Sequence, residues 1–188
     1  MIFALLAIQL IVFLALSLWV WLIVETMWMN APGRVLYYGS NIKEQGKVLE
    51  EIIQKYILDK KQKTEDYELV EPGAGLALVA DYLAKKYAWK KVIGLELGTF
   101  IWTMGKIRGF FRHSQVELKK VDLFNYDYPN PAVLYSYLFP SLMDRLYAEG
   151  TLKGKLVISL TFPISSIEPT EEFQLKSWQK RILVYDFR

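Results

Sequence analysis

Leu69-Val70-Glu71-Pro72-Gly73-Ala74-Gly75-Leu76-Ala77 runs from a short apolar strand through two glycines into an amphipathic stretch. Glycines at such a turn let the main chain pass close to a ligand that any Cβ would obstruct. The free N–H groups and dipole at the opening of the following helix favour an anionic ligand group. Glu71, directly ahead of the glycines, adds an acceptor for a cationic amino group such as that of a methionine moiety. A strand, a glycine turn and a helix in that order predict the first unit of a βαβ fold.

The pattern repeats downstream. The spacing predicts strands over 67–70, 91–95, 115–121, 131–138 and 155–160, with helices over about 76–87, 99–112 and 141–148 between them. Residues 131–138 are almost wholly apolar, as a strand covered on both faces should be. Phe173–Phe187 has no helical stripe and reads as one or two strands. Upstream, Asn41 and Glu44 fit a capping box for a helix over about 42–58, with Leu49, Ile52, Ile53, Tyr56 and Ile57 on one face. The fold class is α/β, with a central, mostly parallel sheet flanked by helices in the Rossmann manner.

Two further acids follow the same logic. Glu96 ends the second strand, 23 positions after Gly73, where a carboxylate takes both hydroxyls of a ribose. Its neighbour Leu97 is an apolar contact for the same ligand. Asp122 and Leu123 end the third strand, placed to meet an adenine amino group and to pack on the ring. Dinucleotide enzymes share the second-strand acid but want a third glycine five residues after the first; Leu78 stands there. With Glu71, Gly73, Ala74, Gly75, Glu96, Leu97, Asp122 and Leu123 taken together, the expected cofactor is S-adenosylmethionine. A plain strand–helix turn with surface acids is the alternative.

The chain has 188 residues, 53% of them hydrophobic, above the 45–50% or so usual for soluble domains. The excess lies in residues 2–24, which carry no charge. A helix of that length reaches roughly 34 Å, enough for a hydrocarbon core of about 30 Å. Trp19, Trp21 and Trp28 mark its far end, Glu25-Thr26-Met27-Trp28 is a poor cleavage site, and Asn30-Ala31-Pro32-Gly33 breaks the chain after it. These features predict an uncleaved single-pass anchor over 1–29, with the bilayer as a partner. Basic residues follow the helix at Arg34, Lys43 and Lys47 and none precede it, so the domain is expected on the cytoplasmic side. A linker and pre-core helix over 30–64 and a cofactor-binding domain over 65–188 complete the organisation.

Absence of cysteine excludes disulfides, thiolate metal sites and thiol nucleophiles. The single histidine, His113, reads as a surface residue beside Arg112, so no metal site and no histidine-based triad is expected. A net charge of +3 is too small to argue for nucleic acid, and no nucleic-acid partner is expected. The fourth strand delivers Ser136-Tyr137-Leu138-Phe139-Pro140 to the carboxyl edge where such folds bind ligands. Methyl transfer to an amine is an in-line displacement that needs no metal, and aromatic faces favour a developing ammonium. Tyr137, Phe139 and Pro140 are therefore the candidate catalytic residues, with core packing as the alternative.

On these motifs the sequence resembles the class I S-adenosylmethionine-dependent methyltransferases. More narrowly, it resembles the membrane-anchored lysine methyltransferases of the ATP synthase c subunit and adenine nucleotide translocase, with their prokaryotic relatives. The leader, the pre-core helix, the glycine loop, Gly94-Leu95-Glu96 and Asp122-Leu123 each have a counterpart there, and the narrower likeness rests on Tyr137-Leu138-Phe139-Pro140 and on a tail with Phe162-Pro163, Pro169, Trp178 and Val184-Tyr185-Asp186. The resemblance implies methylation of a lysine amine on a membrane-associated protein. A small or lipid-like acceptor and a catalytically degenerate cofactor-binding scaffold remain open. The family's loop continues glycine-aspartate-glycine-arginine where this chain has Gly75-Leu76-Ala77-Leu78, and Gly98-Thr99 replaces an Asn or Asp followed by Pro.

Overall fold

The computed structural model describes residues 2–29, 42–176 and 180–188. Asn41, Asn30-Ala31-Pro32-Gly33, Arg34 and Trp178, on which some expectations rested, lie outside them. Contacts divide the chain into two units, Met1–Leu36 and Tyr37–Arg188.

The first unit contains helix α1, Ile2–Met29. Its described side chains, residues 7–21 and 23, are exposed. Among the described residues no helix is long and apolar enough to cross a membrane. The expectation of a single-pass anchor with the domain on the cytoplasmic side is corrected accordingly.

The second unit is a seven-stranded sheet with helices packed against it. Its strands are β1 (Glu68–Pro72), β2 (Lys91–Glu96), β3 (Glu117–Lys120), β4 (Ala132–Ser136), β5 (Lys155–Leu160), β6 (Glu171–Gln174) and β7 (Arg181–Asp186). The order across the sheet is β3-β2-β1-β4-β5-β7-β6. β1 to β5 pair in parallel, while β7 runs antiparallel to both β5 and β6. Every residue of β4 and β5 is buried, which is why both read as largely apolar runs. The order turns back between β1 and β4, and in open α/β sheets that switch point opens the ligand crevice at the carboxyl ends of the strands.

The helices are α2 (Ile42–Ile53, extended by a π-helical turn over Gln54–Leu58), α3 (Leu78–Lys86), α4 (Thr99–Phe111) and α5 (Pro140–Ala148). The α2 face named from the sequence, with Leu49, Ile52, Ile53, Tyr56 and Ile57, is buried in one core with Leu69, Val79, Leu83, Val133, Leu156 and Ile182. Truncating one such fully buried side chain, Leu83, to Ala costs about 2–5 kcal/mol.

Three boundaries differ from the sequence expectation for identifiable reasons. β1 extends through Pro72 because it pairs with β2 as far as Pro72↔Leu95, so Glu71 lies inside the strand. α3 starts at Leu78, two residues late, because Ala77 adopts a left-handed conformation with φ of 53°. β4 stops at Ser136, and Tyr137-Leu138-Phe139 form a loop that ends where Pro140 opens α5, a helix position that suits proline because its missing N–H has no partner there anyway.

Candidate functional site

The carboxyl ends of β1, β2 and β4 converge on the glycine turn. Gly73 and Gly75 have φ of 69° and 57°, the region that glycine enters freely and other residues at a cost of roughly 1–2 kcal/mol. A Cβ on Gly73 would stand 2.8 Å from Leu138 Cδ2, so the turn is pressed against the loop after β4. The Ala74 amide donates to the Leu95 carbonyl at 2.8 Å, tying the turn to β2. On its other side α4 lies so close that a Cβ on Gly105 would be 3.0 Å from the Gly75 carbonyl oxygen.

Both predicted acids are buried at this turn, and each holds backbone. Glu71 Oε2 accepts from the Ala80 amide at 2.9 Å. Ala77, at the N-cap of α3, makes no side-chain cap, so Glu71 satisfies one of the helix's orphan N–H donors from the neighbouring strand. Burial pushes the Glu71 carboxyl from 4.5 up to about 8, against the pull of the Ala80 amide and Arg108, while the charge of Glu96 adds to the rise. Glu96 Oε2 accepts from the Gly75 amide at 2.9 Å and Oε1 from the Gly98 amide at 2.8 Å. It thereby braces the loops after β1 and β2.

The third strand's acid lies alongside. The Val121 amide donates to the Glu96 carbonyl at 3.1 Å, which brings Asp122 to the same edge. Asp122 Oδ1 caps the following turn by accepting from the Phe124 amide at 3.0 Å. Leu97 and Leu123 are half-buried beside these acids.

After β4 the side chains form an aromatic cluster. Tyr137 stacks on Phe162, with centroids 5.6 Å apart and planes 19° from parallel. Phe139 meets the same ring at 5.3 Å and 60°. Lys180 Nζ stands 5.4 Å from the Tyr137 ring centre. Thr161, which follows β5 and precedes Phe162, has φ of 70°, a costly conformation for a β-branched residue, and its buried Oγ1 has no hydrogen-bond partner among the described residues.

The structure thus gathers Glu71, Gly73, Ala74, Gly75, Glu96, Leu97, Asp122 and Leu123 at one edge. It joins them to Tyr137, Phe139 and Pro140 through the Gly73–Leu138 contact. Sequence reasoning missed Phe162 as the ring that both Tyr137 and Phe139 meet, and missed Thr161 and Lys180; the one available signal was Phe162-Pro163 directly after a buried strand. Among the described residues no group of His, Asp and Glu could hold a metal ion.

No family model matches this chain, and no curated protein matches it. Solved structures do. An RNA methyltransferase from Salinibacter ruber in complex with S-adenosyl-L-homocysteine matches with a TM-score of 0.60 at 16% identity, over 79% of this chain and 92% of that one. The N-terminal domain of human METTL16 matches with a TM-score of 0.59 at 9% identity, over 80% and 72%. A putative tRNA (m1A22) methyltransferase from Streptococcus pneumoniae, Sp1610, matches with 0.55 at 14%, over 76% and 71%. The chain therefore has the α/β, Rossmann-like fold of the class I methyltransferases. Two of these neighbours are named for RNA or tRNA, and that overturns the expectation excluding nucleic acid as a partner.

Proposed function

We propose that the chain is an S-adenosylmethionine-dependent methyltransferase that methylates a nitrogen presented by RNA. The observation that carries the cofactor assignment is the pair of buried carboxylates, Glu71 and Glu96, on either side of a glycine turn with no room for a Cβ at Gly73. The residues fit that cofactor. Glu71 is a buried acid whose charged form is disfavoured as it stands, which the ammonium of a methionine moiety would correct. Glu96 and Asp122 supply acceptors for ribose and adenine, with Gly73, Ala74 and Gly75 against the chain of the ligand and Leu97 and Leu123 against its ring. When bound, S-adenosylmethionine supplies an electrophilic methyl group on a sulfonium.

Tyr137, Phe139 and Phe162 then present aromatic faces to the acceptor. Flat bases stack on such faces, and positive charge developing on the acceptor nitrogen is favoured beside them. Holding the acceptor in line supplies roughly 7–11 kcal/mol of a barrier without any acid–base group. That matters here, because the one histidine, His113, lies just past the end of α4, and Glu71 and Glu96 are bonded to backbone amides. An exocyclic nucleobase amine is neutral at pH 7 and needs no base before it attacks. Named RNA enzymes among the structural neighbours support the same acceptor class.

A second reading, an aliphatic amine acceptor such as lysine, is favoured by the Lys180 ammonium over the Tyr137 ring. Calorimetry of S-adenosylmethionine and S-adenosylhomocysteine with the full chain tests the cofactor assignment, and transfer of a labelled methyl group to RNA against a lysine-rich polypeptide tests the acceptor. Micromolar cofactor binding with label in RNA is the expected result. A folded chain that binds neither compound overturns the reading and leaves a degenerate scaffold.

A further inference from the structure

The outer end of α4 carries features that the crevice does not use. Phe110 and Phe111 are 77% and 74% exposed and meet edge to face at 5.5 Å. Met104 and Ile107 continue the exposed apolar surface along the helix. Beside these rings lies a cleft of about 390 Å³ lined by Lys106, Arg108, Phe110, His113 and Ser114, with Leu76 and Ala77 among its walls. That volume falls within the roughly 300–1,000 Å³ of ligand-binding pockets.

The ionisable side chains that line the cleft are all basic. Arg108 is held by Asp81 Oδ2 at 3.1 Å, and Asp81 is itself buried and shared with Lys85. Lys106 and Arg112 are exposed and make no ion pair among the described residues. No acidic side chain lines the cleft. Exposed rings interleaved with unpaired cations match a strand of linked phosphates and bases. Backbone phosphates take the cations, and bases, whose flat faces are all alike to a ring, take the aromatics. A purely apolar partner would leave Lys106, Arg112 and His113 to be desolvated without compensation.

We propose that this end of α4 is a docking surface for a single-stranded segment of RNA. A phosphate sits at Lys106 and His113 in the cleft, Arg112 lies at its rim, and a base stacks on Phe110. The proposal rests on the RNA reading given above and extends it to a surface outside the crevice. α4 is 13 residues long, so its exposed end lies about 18 Å along the helix from its start beside Glu96. Sequence flanking the acceptor nucleotide, and not that nucleotide itself, would occupy it.

The test is fluorescence anisotropy of a labelled 12-nucleotide single-stranded RNA of mixed sequence with the full chain in mild detergent, over a range of salt. Phe110→Ala should weaken binding roughly ten-fold. Lys106→Ala and Arg112→Ala should each reduce the slope of log affinity against log salt by about 0.7. Lys153→Ala, on an exposed turn elsewhere, should change neither. All four positions are exposed, and melting curves check that each variant is folded. Affinity and salt slope unaltered in the α4 variants overturn the proposal, as does a chain that binds S-adenosylhomocysteine and no RNA. Salt-sensitive RNA binding that depends on Phe110, by a chain that binds no S-adenosylhomocysteine, upholds the docking surface and overturns the methyltransferase reading instead.

Discussion

Replacing Glu71 by Gln is the perturbation whose sign the structure fixes most firmly. The carboxyl is 6% exposed, and burial raises it from 4.5 to about 8. In the native state it keeps a proton that the unfolded chain has already released at neutral pH. Its contribution to stability is therefore fullest below about pH 4.5 and is lost progressively as pH rises to about 8. At pH 7 the 2.5 pH units above the ordinary value correspond to a penalty of about 3 kcal/mol, at about 1.36 kcal/mol per unit. Gln has no charge to lose and keeps an oxygen for the Ala80 amide. Glu71→Gln should accordingly be more stable at pH 7 by up to about 3 kcal/mol, which is roughly 6–12 °C in Tm for a chain of this size. The two proteins should converge near pH 4. Thermal melts from pH 4 to 8 make the measurement. The ligand reads the same group in the opposite sense. An ammonium that settles against Glu71 drives its proton off, so S-adenosylhomocysteine binding at pH 7 should release close to one proton from the wild type and none from Glu71→Gln. Calorimetry in buffers of different ionisation enthalpy counts that proton, and the variant should also bind more weakly. Parallel stability profiles for the two proteins, or a variant less stable at pH 7, would refute the reasoning and mean that the Ala80 amide and Arg108 outweigh burial.

Ala77→Gly should raise stability by about 1 kcal/mol, since it relieves a left-handed alanine at the cost of some chain entropy; a rise of about 2–4 °C in Tm is the check. Gly73→Ala should do the reverse by a similar amount and displace the Leu138 side chain, so calorimetry should show weaker cofactor binding together with the lower Tm. Glu96→Ala leaves the buried partners of the Gly75 and Gly98 amides missing, at about 1–3 kcal/mol for each stranded donor. It should lower Tm and weaken S-adenosylhomocysteine by ten-fold or more; unchanged affinity would remove Glu96 from the cofactor site.

Much of the sheet was legible because parallel strands covered on both faces are written as plain apolar runs. Residues 155–160 were placed to the residue, and the tail proved to be two antiparallel strands. The glycine turn was legible for the same local reason, since its residues are neighbours in sequence. What periodicity does not encode is a left-handed alanine, so the start of α3 was missed, and with it the second duty of Glu71 as that helix's cap. The aromatic cluster joins β4's loop to the end of β5, and no pattern within either segment reports on the other. Nucleic acid was set aside on a net charge of +3, a sum in which distant acids cancel cations that stand together. Lys106, Arg108 and Arg112 lie within seven consecutive residues, and the fold sets Lys106 and Arg108 in the wall of one cleft.

β7 enters the sheet between two strands that precede it in the chain, β5 and β6. During synthesis β6 has no neighbour until residues 181–186 arrive. β5 meanwhile waits with the edge of Leu156, Ile158 and Leu160 open on the side that β7 will cover. An unpaired apolar edge is a template for another chain, so a ribosome stalled ahead of residue 181 would leave a nascent domain prone to join its neighbours. The β5–β7–β6 arrangement makes completion of this side of the sheet wait on residues 181–186, whatever order the other strands take.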